Sequence, residues 1–365
     1  MVRPPYIIAD FPTDDPLGDY FTRKNIQYDF LQVELISVPL VDQIHHMIGG
    51  KENVILILGV LKLKRLFDEK SIYHDFREMI NPGIKIVLYN HKDCMLDMMD
   101  LCTEESSEFT SWLNELKPTV LTDGIAGKWL KENYNKCEFI ELQHPYLGYA
   151  NTYPELSSLK RHDPHKDFLC LMAKNNHRSH RQLLHEQMTA KGLTEHTVYK
   201  FSPRSPETHD DLKESFSEIT IKGIAWPDGI PPVHYYNQTN LEIVAETLGH
   251  YTHDDTFYIT EKTTKPITMK HPFMMLSSFH FLRNLRELGF RTFGDHLDES
   301  YDLEQDVKKR IDIITNNLVM LKGSRGKLYD GTQEIRDHNL LNLQHQIGMY
   351  KTKLWNRMDE FMKNI

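Results

Sequence analysis

The sequence predicts an α/β chain of two open parallel-sheet domains followed by a helical tail, and three features carry that expectation. Near-continuous apolar runs, each about the length of one strand, recur along 33–142 and again along 168–277. Runs of this kind, unlike alternating ones, mark strands buried on both faces. Stretches of helical spacing separate them, which is the rhythm of strand-helix-strand units. The third feature is length: 365 residues exceed the ~250 to 300 at which a single hydrophobic core stops growing.

In the first domain, expected over 1–150, residues 33–38 (VELISV), 53–60 (NVILILGV), 84–89 (IKIVLY), 119–121 and 137–142 (CEFIEL) read as strands. Helices are expected between them at 42–46, 65–81, 97–116 and 125–133. Pro82-Gly83 and Pro118 stand where a helix has to stop before the next strand. The polar stretch 143–166, containing proline and tyrosine, reads as a linker. A second alternation follows and sets the second domain at 166–302. Its strands are expected at 168–172, 197–201, 241–245 and 273–277, and its helices at 178–191, 261–270 and 281–288, the first and last ended by Gly192 and Gly289. From 303 to 365 the pattern is mostly amphipathic helix, expected to pack back on the first domain.

Composition excludes several classes of protein. The net charge of −9 argues against a chain that coats nucleic acid, because neutralising phosphates needs a surplus of Lys and Arg; a local basic groove stays open. The longest apolar run, 54–61, is eight residues, well short of the ~18 to 20 that span a bilayer. The start, Met1-Val2-Arg3-Pro4-Pro5, lacks the order of a signal peptide. Cys94, Cys102, Cys137 and Cys170 are scattered singly, the pattern of reduced core thiols in a cytoplasmic protein.

Two segments concentrate chemistry. Residues 257–267 (FYITEKTTKPI) place Thr260, Glu261 and Lys262 at a helix start after an apolar strand, where open α/β sheets bind ligands. A helix N-terminus suits phosphate; beside it, a carboxylate can accept both hydroxyls of a ribose and an ammonium can neutralise a diphosphate. The plainer account is a helix capped by Thr260 with both charges in solvent. Residues 174–181 (KNNHRSHR) form a second cationic strand-to-helix junction. Arg178 and Arg181 there oppose the helix dipole, which is easier to explain if an anion occupies the gap. Histidine pairs three apart (His162 and His165, His177 and His180, His250 and His253) have ligand-like spacing but bring no Cys pair and no HExxH pattern, so no metal is expected.

The run YITEK at 258–262, after VAET at 244–247 and the Asn175 to Arg181 spacing that opens the domain, resembles the donor-binding domain of fucosyltransferase-type glycosyltransferases. The extended pattern, with TEKTTKPI, a following Pro272-Phe273 and FGDHLDESYD at 293–302, is similar to variants in bacteriophage and marine microbial proteins. The resemblance covers about 168–303. It implies the GT-B arrangement, two Rossmann-like domains facing a cleft, with inverting, metal-independent transfer from a nucleotide sugar and no other cofactor. Position by position, it implies that Arg181 holds the donor diphosphate, Tyr258 stacks near the base, Glu261 binds ribose hydroxyls and Lys262 binds phosphate. Glu246 matches the family's glutamate, while Thr247 stands where asparagine is usual. Thr263-Thr264 follows TEK in place of the usual tryptophan or leucine, so the donor is not carried over as GDP-fucose.

An inverting transfer also needs a base for the acceptor hydroxyl. The first domain offers Asp93, His91 and Asp123 on loops after strands, and the cluster Asp14, Asp15, Asp19; the sequence does not rank them. Basic runs at 62–65 and 322–327 raise a DNA acceptor, a hydroxymethylated base flipped from the duplex, beside a glycan or lipid-linked acceptor. A non-catalytic sugar-nucleotide-binding module is the remaining class.

Overall fold

Ten strands among the described residues form two all-parallel sheets, one in each of two units into which the computed structural model divides. One unit comprises residues 1–149 with 349–365, the other 150–348. The residues described are 6–9, 16–30, 46–48, 54–59, 84–89, 111, 115, 117, 119–122, 138–141, 163–172, 178–201, 232–247, 249, 257–324 and 326–363. The chain is therefore mixed α/β, with parallel sheets and a helical C-terminal region.

In the first unit, β1 (Tyr6–Ala9), β2 (Asp29–Phe30), β3 (Val54–Gly59), β4 (Ile84–Tyr89), β5 (Thr119–Thr122) and β6 (Glu138–Glu141) lie in the order β2-β1-β3-β4-β5-β6. Val54, Ile55, Leu56 and Ile57 are all buried, as a strand covered on both faces requires. Helix α1 (Pro16–Arg23) opens on a proline, whose missing N–H costs nothing at a first helical position. The strand expected at 33–38, and most of the helices expected between strands, lie outside the described residues.

The second sheet contains β7 (Phe168–Met172), β8 (Thr197–Phe201), β9 (Leu241–Ala245) and β10 (Phe273–Leu276), ordered β10-β9-β7-β8. The chain runs from β7 to β8 on one side and continues with β9 on the other, so β7 and β9 flank the point where the strand order reverses. Ligands of open α/β sheets bind outside the carboxyl ends of strands at such a point. Helix α2 (Ser179–Ala190) buries His180, Arg181, Leu184 and Met188 along one stripe. Its end is a Schellman turn: Gly192 has φ 62°, and the Leu193 amide donates to the Met188 carbonyl at 2.9 Å. Helices α3 (Val233–Asn237), α4 (Glu261–Thr268) and α5 (Phe281–Glu287) follow. Gly289 repeats the Schellman turn after α5, with φ 84° and Phe290 N–H on the Leu285 carbonyl at 3.2 Å.

The tail divides differently from the expectation that all of 303–365 joins the first domain. Helix α6 (Val307–Leu321) buries Ile311, Ile314 and Leu318 and packs on α2 and β10, because its apolar stripe completes the core of the second sheet. After the short α7 (Lys327–Gly331), the first part of α8 (Gln333–Lys363) stays with that unit. Asn339 there brackets Arg291 with two backbone hydrogen bonds of 2.8 Å. Only residues 349–365 group with the first unit. Asp359 there accepts from the Tyr20 hydroxyl at 2.7 Å and from Lys24 at 2.8 Å. No helix among the described residues is long and apolar enough to cross a membrane.

Candidate functional site

The carboxyl ends of β7 and β9 bring together most of the residues singled out in the second domain. Strand β9 ends at Ala245, and the carbonyl of that residue accepts from Arg181 Nη2 at 2.8 Å. Arg181 reaches it from the first turn of α2 with only 2% of its surface exposed. Burial, and then the neighbouring Arg178, push its pKa down to about 10, while Glu246 and Glu261 act the other way. At that value the guanidinium stays charged at neutral pH. Two arginines, two carboxylates and one strand end thus share a single electrostatic field.

Arg178 is the N-cap residue of α2. Its side chain makes no capping hydrogen bond among the described residues, and the first turn of α2 holds no acidic residue. The partially exposed N-terminus, with its positive dipole end and two arginines, is an anion-attracting arrangement. The preceding residues 173–177, including Asn175 and His177, lie outside the described residues.

Helix α4 begins in the opposite way. Thr260 is its N-cap, and the Thr260 hydroxyl accepts from the Lys262 amide at 3.1 Å. The same hydroxyl donates toward the Glu246 carboxylate, 2.8 and 2.7 Å from its two oxygens. Glu246 also accepts from the Thr263 hydroxyl at 2.6 Å and from the amides of Thr247 at 3.0 Å and Thr260 at 3.3 Å. With 1% exposure and this many protein donors, Glu246 ties the end of β9 to the start of α4. Hydrogen bonds to an ionised carboxylate are the stronger kind, about 1.5 to 3 kcal/mol each, which offsets the cost of burying the charge. Glu261 and Lys262 emerge from this anchored turn as an ion pair 2.5 Å apart, with side chains 15% and 24% exposed. Tyr258 lies just upstream, 6% exposed, between the buried Phe257 and Ile259.

Further residues complete the junction. His180 is fully buried, and its Nε2 lies 2.9 Å from the Glu246 carbonyl. A carbonyl only accepts, so Nε2 carries the proton. Gly249 lies against this ring: a Cβ there would meet His180 Cδ2 at 2.5 Å, so the position accommodates no side chain. Arg310 of α6 is 1% exposed and binds the carbonyls of Glu304, Ser277 and Gly249. Burial pushes its pKa down. It clamps the chain beyond β9 to the end of β10. The sequence reading did not single out Arg310. A usable sign was an arginine in register with Ile314 and Leu318 on an apolar helix stripe.

Comparison with known proteins adds little. No family model matches the chain, and no curated protein matches it. Among solved structures, a chain of a GtfA/B complex is similar over 91% of this chain and 62% of that chain, at 12% identity and a TM-score of 0.42. The chain thus spans less than two thirds of that protein's length.

Other expected features take these places. The acidic motif at 293–302 is structural: the Asp302 carboxylate caps α5 through the amides of Leu282 at 2.7 Å and Arg283 at 3.0 Å, and Glu299 accepts from the Phe293 amide at 2.7 Å. Of the basic run at 322–327, Gly323 lies at the opposite edge of the sheet, since its N–H donates to Asp167, the residue before β7, at 3.0 Å; Arg325 lies outside the described residues. Cys170 is a buried free thiol. Among the described residues no group of three His, Cys, Asp or Glu side chains converges as a metal site. Asp93, His91, Asp123, Asp14 and Asp15 lie outside the described residues, and Asp19 falls within α1.

Proposed function

We propose that the chain is a nucleotide-sugar-dependent glycosyltransferase of the GT-B arrangement, inverting and independent of metal, whose second unit binds the donor. The observation that carries this reading is the pair Arg178 and Arg181 at the uncapped start of α2, beside the strand-order reversal of the second sheet. A diphosphate seated there would be met by two guanidiniums and the α2 dipole, with Lys262 one strand end away. Glu261, now paired with Lys262, would exchange that partner for ribose hydroxyls. Glu246 acts behind them as a positioning residue, and Tyr258 lines the approach to the base.

Such a site suits the chemistry. In an inverting transfer the acceptor hydroxyl attacks the anomeric carbon, the bond to the diphosphate breaks, and negative charge accumulates on the leaving group. Fixed cations and a helix N-terminus stabilise that charge. The acceptor proton would pass to a base in the first unit, for which Asp93, His91 and Asp123 remain the candidates. A glycan acceptor fits the net charge of −9 better than a modified DNA base, and Gly323, in the basic run at 322–327, lies away from the donor edge. The setting proposed is the cytoplasm, that of a host cell if the chain is viral.

A thermal-shift screen against nucleoside diphosphates tests the reading. At least one should raise the melting temperature, since a ligand held only by the folded state stabilises it. Glu261→Ala and Lys262→Ala should abolish the shift while melting near the wild-type temperature. Normal binding by both variants would remove the assignment.

A further inference from the structure

Beyond the charged junction, the same sheet edge carries three hydroxyls without a function. Thr247 Oγ1, Ser277 Oγ and Ser278 Oγ are shut from solvent and have no hydrogen-bond partner among the described residues. The residues are 1%, 2% and 3% exposed. Buried hydroxyls in native proteins are nearly always paired, so three orphans at one edge call for an explanation. They are brought together by the sheet. β9 and β10 pair in parallel with Ala245 opposite Leu276, and the Glu246 amide continues the ladder onto the Leu276 carbonyl at 2.9 Å. Residues 246–247 therefore run alongside 277–278 at the carboxyl ends of the two strands.

The surroundings decide what could pair with them. Arg310 is the cation bound at this point, and its Nε, Nη1 and Nη2 are all engaged by backbone carbonyls. It fixes the two strand ends without offering a donor to a ligand. The hydroxyls are uncharged groups that each donate once and accept twice, the complement of another hydroxyl. The charges suited to a diphosphate, Arg178, Arg181 and Lys262, stand at the neighbouring β7 and β9 ends. A serine hydroxyl reaches a new partner by one χ1 rotation between staggered wells.

We infer that Ser277 and Ser278, with Thr247 beside them, form a subsite for the hydroxyl groups of a neutral sugar carried on a nucleoside diphosphate. This rests on the donor-site reading above and adds to it the place and the chemistry of the transferred group. It also explains why hydroxyls that would be better replaced by hydrogen for stability alone are present: their partner arrives with the substrate.

The test compares UDP with UDP-glucose and GDP with GDP-mannose, by calorimetry on the full chain, in wild type and in Ser277→Ala/Ser278→Ala. For one of the pairs, wild type should bind the conjugate more tightly than its parent diphosphate. The double variant should bind that diphosphate unchanged and lose about ten-fold in affinity for the conjugate, a loss equivalent to one or two hydrogen bonds. Its melting temperature should equal or exceed that of wild type, because removing an unpaired buried hydroxyl removes a penalty. The single variants, Ser277→Ala and Ser278→Ala, should each give part of the loss. An unchanged ratio of the two affinities, or a wild type that binds conjugate no better than diphosphate, overturns the subsite and leaves the diphosphate site standing. A melting temperature several degrees lower, with diphosphate binding weakened equally, makes the hydroxyls structural and also overturns it. Wild type that binds neither ligand of either pair removes the donor-site reading, and the subsite with it.

Discussion

Helices α2 and α4 both begin at the carboxyl edge of the same parallel sheet, after neighbouring strands, yet their N-termini are finished in opposite ways. At α4, Thr260 caps the first turn and Glu246 locks the cap to the strand end, so the demand of the helix for negative partners is met from within. At α2 no side chain among the described residues caps the helix, and the residues placed there are Arg178 and Arg181. One junction is closed by the protein. The other concentrates positive charge where the dipole already disfavours it, the arrangement expected of a helix that is completed by an anion. The contrast separates a structural role for Glu246 and Thr260 from the ligand role proposed for the arginines.

Substitutions can break that contrast from either side. The largest effect on stability is expected at Thr260→Val, which keeps the shape but removes the cap and one donor to the buried Glu246 carboxylate. A loss of about 2 to 4 kcal/mol should appear in urea unfolding. Gly249→Ala pushes a methyl group into His180 and thereby disturbs the hold of His180 on the Glu246 carbonyl; about 1 to 3 kcal/mol is expected, as for overpacked sites. Arg178→Asp turns the α2 start into a copy of the α4 start. It should raise stability by about 1 kcal/mol, since an acidic N-cap suits the helix.

The smallest effect lies away from the sheet edge and serves as a control. Hydrogen bonds from Lys24 and Tyr20 hold the Asp359 carboxyl below its ordinary pKa of 3.8. A carboxylate depressed in this way stabilises the fold above its unfolded pKa, and the contribution disappears as pH falls through the lower folded value. With a side chain 35% exposed, Asp359→Asn should cost only about a few tenths of a kcal/mol at neutral pH. The gap to wild type should close below about pH 4, and nucleotide binding should be untouched.

The second sheet was legible because three of its strands, β7, β9 and β10, are largely apolar runs buried on both faces, and because glycines at 192 and 289 mark helix ends that need a positive φ. In the first unit, β1 and β2 escaped notice; β2, with two residues, is too short to show a period, and the four residues of β1 have no preceding helical stretch to set them in a strand-helix-strand rhythm. Helix α1 carried a sign that went unread, Pro16 at its first position. Helix α3, five residues long, is likewise too short for periodicity to reveal. At the site, the strand-to-helix junctions placed Thr260, Glu261, Lys262 and Arg181 at one edge from local pattern alone. What Glu246 does was beyond local pattern, because its partners Thr260 and Thr263 lie 14 and 17 residues away. Arg310 is further still, 33 residues from Ser277, and only the packing of α6 on the sheet brings it there.

The central claim is that the uncapped start of α2 is a diphosphate site. It is tested most directly by calorimetric titration of UDP and GDP into wild type and Arg178→Asp. The account predicts saturable binding of at least one of them to wild type, and none to a variant that is folded and as stable or more so. Equal binding by the two proteins would contradict it, as would a wild type that binds neither nucleotide.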